Sequence, residues 1–225
     1  MKKENRMRSL AVLMAAVKMC IRDRYGVILK ESKGNFIPYT FRHFDVCEHG
    51  RLIKLLKEDQ LFTKAGNGEI GSEEFMTLLG YENPSYHMKN YIENYLTLDE
   101  GFVNFAGKYA DRCDFVLLSN DISEWSAYIT KYYKLDKYFK CKIVSGDVKC
   151  RKPEKKIFTI ALERMEKLPQ ECIFIDNSVA NLETSAEMGF LPVLFNRDNV
   201  AYSGITVNNF DELEKVINEQ RDLLI

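Results

Sequence analysis

The hydrophobic positions of this chain alternate between short solid runs and helically spaced stripes. Asp114-Phe-Val-Leu-Leu-Ser-Asn120 is one solid run, and over 121–134 Trp125, Tyr128, Ile129 and Tyr132 then share a helical face. Runs without polar alternation suit strands buried on both faces of a parallel sheet. Lys142-Ile-Val-Ser145 repeats the arrangement more briefly, followed by a helix with Ile157, Ile160, Ala161 and Leu168. Cys172-Ile-Phe-Ile175 ends at Asp176, after which Val179, Leu182 and Ala186 recur at helical spacing until Gly189 stops them. Leu191-Pro-Val-Leu-Phe195 reads as a last strand, and Asp211 as the cap of a final helix bearing Leu213, Val216, Ile217 and Leu224. Strands alternating with helices of this length predict an α/β fold, a parallel sheet with helices on both faces.

Residues 36–110 have a different texture, helical and rich in aromatics. Leu52, Ile53, Leu55 and Leu56 share one face, Ser72–Gly80 is a short helix with its own cap and stop, and Tyr91, Ile92, Tyr95 and Leu96 make another stripe. Gly66-Asn-Gly68 and Asn83-Pro84 punctuate the segment. A tyrosine stripe at this spacing is first of all core. The pattern predicts a small helical domain at 36–110, inserted after the first strand of a sheet domain made of 25–35 and 111–225.

Residues 1–24 fit neither texture. Lys2, Lys3, Arg6 and Arg8 followed by Leu10 to Val17 imitate a secretory signal, but Lys18 interrupts the run and no small-residue cleavage site follows. The run is also too short to span a bilayer. Met19-Cys-Ile-Arg-Asp-Arg24 resembles the conceptual translation of a transposon end used in preparing sequencing libraries. The expectation is therefore an assembly join that partly replaces the natural first strand.

Composition narrows the chemistry. A chain of 225 residues holds one full core with an insertion. Net charge −1 and a pI near 6.4 offer no broad footprint for nucleic acid or for an acidic membrane surface. A small molecule is the expected partner. The cysteines at 20, 47, 113, 141, 150 and 172 and the histidines at 43, 49 and 87 match no zinc-ligand spacing. Cys113, Cys141 and Cys172 lie in or beside expected strands, so they read as reduced thiols of a cytoplasmic protein.

Several polar residues stand where ligands bind in such sheets, outside the carboxyl ends of strands. Asp176 is one, next to the helix-initiating pair Asn177 and Ser178, although taken alone a plain helix cap is the stronger local reading. Ser119 is another; a hydroxyl beside helix-start amides suits a phosphate oxygen, or simply a turn. Lys152 precedes Pro153, which fits a first helical turn, and a lysine there is a compact cation among neighbours Lys149, Arg151, Lys155 and Lys156. Asp23 stands near a strand end, followed by Gly26, which permits a sharp turn. Asp121 and Glu124 read as an N-terminal capping pair.

Taken in order, Asp23-x-Tyr-Gly-Val, Leu117-Leu-Ser-Asn120, Lys152-Pro153 with Ile157-Phe158, and Phe174-Ile-Asp-Asn with Asn181 and Gly189 resemble the four motifs of the haloacid dehalogenase-like hydrolase superfamily. The resemblance implies a Rossmann-like core with a helical cap between the first two motifs. It further implies Asp23 as a nucleophile forming an aspartyl-phosphate, with Ser119, Asn120 and Lys152 binding the phosphoryl group of a small phosphorylated metabolite. Mg²⁺ would be held by Asp23, the backbone carbonyl of Tyr25 and Asp176, with Asn177 and Asn181 fixing its waters and the loop. A monomer or homodimer is expected.

Two departures bear on the activity. Phosphatases of the superfamily usually carry a second aspartate where Tyr25 stands, and a phenol with a pKa of about 10 is a poor general base at neutral pH. Tyrosine there is similar to the true haloacid dehalogenases, which need no metal but lack an acid at the position of Asp176. A further acid common in the fourth motif is here Asn177. The reading is a Mg²⁺-dependent phosphatase, with a 2-haloacid dehalogenase-type hydrolase or a catalytically impaired phosphate-binding homologue as alternatives. Sequencing an independent clone across codons 1–30 is expected to yield a different N-terminus; identical DNA would return the segment to the native chain.

Overall fold

The computed structural model describes residues 19–222, so the signal-like run at 1–18 lies outside it. Met19–Arg22 forms β1. A tight turn over 23–29 leads into helices α1 (Phe36–His43), α2 (His49–Ile53), continued by a wide π turn over Lys54–Glu58, α3 (Leu61–Gly66), α4 (Ser72–Leu79) and α5 (Pro84–Tyr95). Then come α6 (Glu100–Tyr109), β2 (Asp114–Ser119), α7 (Ser123–Tyr132), β3 (Phe139–Val144), the single turn α8 (Ser145–Val148) and α9 (Lys155–Met165). The chain closes with β4 (Cys172–Asp176), α10 (Val179–Glu187), β5 (Leu191–Phe195), β6 (Ile205–Val207) and α11 (Phe210–Asp222).

Among the described residues the six strands form one sheet in the order β3-β2-β1-β4-β5-β6, and every neighbouring pair is parallel. This is a Rossmann-like sheet, and its strand order reverses between β1 and β4, where such sheets open a crevice for ligands. Alternate residues of the solid runs enter opposite layers, as strand geometry requires. Leu117, Ile173, Ile175, Val193 and Phe195 face one layer with α6 and α11. Val116, Leu118, Phe174 and Leu194 face the other with α9 and α10. Since both faces are covered, the strands carry no polar alternation.

A third cluster holds the insertion together around Phe36, Tyr39, Phe75 and Tyr91. It is completed from the sheet domain by Ile122, Trp125 and Ile129 of the α7 segment. α6, which its helical texture had put inside the 36–110 insertion, instead packs Phe102, Phe105, Ala106 and Tyr109 on the sheet.

Local expectations differ at several ends. Pro153 precedes α9 by two residues rather than entering its first turn, and Ser145 opens α8 instead of closing a strand. Asp211 sits inside the first turn of α11, while Asn209 Oδ1 accepts the Glu212 amide at 2.9 Å. Asp121 and Glu124 do not cap α7: Asp121 is fully buried, and Glu124 Oε1 accepts the Ser72 amide at 3.2 Å, across to the start of α4. Ile53 is exposed while Leu52 and Leu56, one helical turn apart, are buried. β6 had no counterpart in the pattern, being only three residues long.

Gly26 fixes the turn after β1. Its φ is +76°, and an added Cβ would lie 2.5 Å from Asn177 Nδ2 and 3.0 Å from the Ser32 backbone. Gly26→Ala therefore combines left-handed strain with a clash, and its urea-unfolding free energy is expected to fall by about 1–3 kcal/mol.

Candidate active site

Adjacency of β2, β1 and β4 brings Ser119, Asp23 and Asp176 to neighbouring strand ends. The Asp23 amide donates to the Ile175 carbonyl at 3.1 Å, continuing the β1–β4 pairing for one more residue. Lys152 comes from the loop before α9. Its backbone is clamped by Asn120, whose Oδ1 accepts the Lys152 amide at 2.8 Å and whose Nδ2 donates to the Lys152 carbonyl at 2.9 Å. Asn120, expected to touch substrate, thus has both ends of its carboxamide on the lysine backbone.

The clamp delivers the ammonium to both acids. Lys152 Nζ donates to Asp176 Oδ2 at 2.7 Å and lies 2.8 Å from Asp23 Oδ1, the latter an ion pair outside hydrogen-bond geometry. Lys152 is 2 % exposed and Asp176 not at all. Asp176 Oδ1 accepts from the Ser178 amide at 2.8 Å and from Asn181 Nδ2 at 3.1 Å. Asp176 therefore serves the helix start and the site together, one oxygen for each. Asn177 packs its carboxamide against Gly26. The Ser119 hydroxyl is buried and, among the described residues, has no hydrogen-bond partner.

Burial governs the electrostatics. It raises the Asp176 carboxyl above its ordinary range, against the pull of Lys152 and with the push of Asp23. Burial alone would lower Lys152, but Asp176 and Asp23 outweigh it and hold the ammonium above its ordinary value. Two carboxylates face one cation, leaving the cluster negative.

That cluster fits a hard divalent cation. Among the described residues no group of three His, Cys, Asp or Glu gathers as a metal site, but Mg²⁺ is commonly held by only one or two carboxylates and its waters. Around the turn after β1, the carbonyls of Arg24, Gly26, Val27 and Ile28 each accept a hydrogen bond. Among the described residues the Tyr25 carbonyl, two residues after Asp23, accepts none.

Two parts of the site carry no local signal. Arg24, fully buried, places Nη1 2.6 Å from Asp121 Oδ2 and Nη2 2.7 Å from Ser126 Oγ. Burial pushes the Asp121 carboxyl up from 3.8 to about 6, with Arg24 restraining it. The Tyr25 hydroxyl lies 3.4 Å from Asp121 Oδ1, and burial raises that phenol well above its ordinary value. Arg197 donates to the Gly26 carbonyl at 3.0 Å and the Val27 carbonyl at 3.2 Å, and pairs with Asp99. The sequence separations, 97 between Arg24 and Asp121 and 171 between Arg197 and Gly26, exceed any motif.

A cavity of about 320 Å³ opens on Asp23, Tyr25 and Asn120, facing Phe36, Phe62 and Tyr91 of the insertion. Ser119, Lys152 and Asp176 are buried behind it.

The model of haloacid dehalogenase-like hydrolases matches residues 23–189, more than half of the chain. The chain belongs to this hydrolase family. Solved structures agree on the fold. A family enzyme from Bacteroides thetaiotaomicron in complex with magnesium and inorganic phosphate is 20% identical, with a TM-score of 0.68, covering 83% of this chain and 97% of its own. A haloacid dehalogenase-like phosphatase from Thermococcus onnurineus is 18% identical, with a TM-score of 0.66 and coverage of 91% and 99%. A dehalogenase is 17% identical, with a TM-score of 0.63 and coverage of 88% and 96%. No curated protein matches the chain in sequence.

The Arg24–Asp121 pair has a pH signature. Between about pH 4 and 6 the unfolded state releases the Asp121 proton while this hydrolase's folded state retains it, so this group's contribution to stability falls as pH rises and levels off above 6. Arg24→Met leaves the buried carboxylate uncompensated. Its unfolding free energy is expected to drop by about 3–5 kcal/mol at pH 8 and by less at pH 5, where Asp121 takes up a proton; equal losses at both pH values would refute the pairing.

Proposed function

We propose that this hydrolase is a Mg²⁺-dependent phosphatase of a small phosphorylated metabolite. One observation carries the reading: two carboxylates from adjacent strand ends converge on a single buried ammonium, beside a buried hydroxyl with no partner. An acid at the position of Asp176 is what the metal-free dehalogenases lack. Helices α1–α5 act as the cap over the site. The setting is a reducing, cytoplasmic one, in keeping with thiols Cys113, Cys150 and Cys172 buried in the core. Among the described residues no helix is long and apolar enough to cross a membrane.

Asp23 attacks phosphorus in line, forming an O–P bond as the bond to the leaving oxygen breaks, and water then hydrolyses the aspartyl-phosphate. Ser119 donates its hydroxyl proton to a phosphoryl oxygen, satisfying a group otherwise left unpaired. Lys152 neutralises charge as it builds on the phosphoryl oxygens, and Asn120 holds it at the required reach. Asp23, Asp176 and the Tyr25 carbonyl are the groups to hold Mg²⁺, which when bound offsets the repulsion between carboxylate and phosphate. Asn181 fixes Asp176, and Asn177 fixes the turn at Gly26.

Tyr25 favours a second reading. Its raised phenol is unsuited to act as a base near neutral pH, and a dehalogenase-type hydrolase needs no acid there. The two readings separate in one assay series. Phosphate release from 4-nitrophenyl phosphate is expected to need Mg²⁺, to vanish in Asp176→Ala and to fall about 10²–10³-fold in Ser119→Ala. Halide release from 2-haloacids that survives a chelator decides for the dehalogenase. Phosphate binding without turnover, persisting once a native N-terminus is restored, identifies an impaired homologue.

A further inference from the structure

The cavity on Asp23 has a chemical character of its own. Its insertion side is apolar, built from Phe36, Ile37, Leu56 and Phe62. That wall is fixed before anything binds: Phe36 packs edge-on at 5.1 Å from Tyr91 and 5.0 Å from Trp125. The Tyr91 hydroxyl donates to the Gly34 carbonyl and pins the opposite loop.

The uncharged polar side chains that border the cavity are already engaged. Ser32 Oγ donates to Asp198, the Asn120 carboxamide holds the Lys152 backbone, the Tyr25 hydroxyl points to Asp121, and the Tyr91 hydroxyl is on Gly34. A polyhydroxylated leaving group entering here gives up hydrogen bonds to water and finds few replacements, which is costly. An apolar body gains from the same walls. Charge adds a third element. Apart from Asp23, the charged residues bordering the cavity are Lys33 and Lys57, both cationic and both solvent-exposed. A volume of about 320 Å³ stands at the lower end for ligand pockets, so the ligand is compact.

We infer that the preferred substrate is a phosphate monoester whose leaving group is a compact apolar or aromatic body bearing an anionic group, not a sugar or polyol phosphate. The inference rests on the phosphatase reading for the fate of the phosphate, but the recognition it describes is testable by binding alone. The phosphoryl end meets Asp23, the ring lies against Phe36 and Phe62, and the distal anion reaches Lys33 and Lys57.

The test is calorimetric titration of the full chain with Mg²⁺ present, using phenylphosphonate, 4-phosphonobenzoate and 2-hydroxyethylphosphonate. Phenylphosphonate is expected to bind about tenfold or more tightly than the hydroxyethyl compound. The added carboxylate is expected to tighten binding a further two- to fivefold or so, an advantage that shrinks with salt. The double variant Lys33→Gln/Lys57→Gln should erase that advantage while still binding phenylphosphonate, which also reports that it folds. Equal affinity for all three compounds, a preference for the hydroxyethyl compound, an unchanged carboxylate advantage in the double variant, or no binding of any phosphonate overturns the inference. Running 4-nitrophenyl phosphate hydrolysis in parallel separates the two claims. The expected binding order without turnover keeps the substrate class and removes the phosphatase, whereas turnover without the order does the reverse.

Discussion

A lysine ammonium buried to 2 % exposure survives only because two carboxylates meet it, and most of the site follows from that requirement. Taking the ion from water costs several kcal/mol, which one partner in imperfect geometry does not repay. Two partners on a fixed frame do. The frame is the β1–β4 pairing, which sets Asp23 beside Asp176, and the Asn120 clamp, which sets the length of side chain available to reach them. Catalytic preorganisation and charge satisfaction are therefore the same geometry. On the phosphatase reading proposed above, a phosphoryl dianion at Asp23 would compete for an ammonium already placed, with no rotamer search between binding and stabilisation.

The turn after β1 sends consecutive charges to different partners. Asp23 joins Lys152 and Asp176, while Arg24 joins Asp121, Ser126 and Thr130. The two groups sense each other, since Asp23 adds to the upward push on Asp121. Backbone carbonyls reinforce the turn, with Arg197 gripping those of Gly26 and Val27 from the far side of the sheet order. Among the described residues the Tyr25 carbonyl accepts no hydrogen bond, between the engaged carbonyls of Arg24 and Gly26.

The sheet was legible in the sequence because solid apolar runs have a single economical solution, burial on both faces. Ser119 and Asp176 were legible for the same reason: they end such runs. Asp121 was not. Asp-x-x-Glu is a local capping signature, and nothing nearby distinguishes it from an acid whose partner lies 97 residues away. Lys152 stood among similar cations, and local pattern did not separate it from Lys149 or Lys155; the Lys152-Pro153 motif singled it out, and its burial, its two carboxylate partners and the Asn120 clamp set it apart in the structure. α6 was assigned to the insertion because a helical stripe shows which face is apolar but not which layer it meets. Which layer α6 meets is a matter of tertiary packing, on which periodicity is silent.

α7 joins these observations. It begins two residues after the Asn120–Asp121 pair, and it has two working faces. Trp125 and Ile129 complete the aromatic core of the insertion, with Trp125 Nε1 donating to Ser72 Oγ at 2.7 Å. Ser126 and Thr130, on the other face, hold Arg24. Glu124 reaches the amide at the start of α4. The insertion is thus not a lid resting on a finished domain. Its core includes side chains of the sheet domain, and withdrawing it would expose Trp125 and strip the indole of its acceptor. The wide π turn at Lys54–Glu58 contains Lys57, a cavity cation, and Leu56, a cavity wall that packs in the same buried cluster as Trp125 and Ile129 of α7. The cavity wall and α7 thus share one core, which ties the shape of the cavity to the helix that holds Arg24.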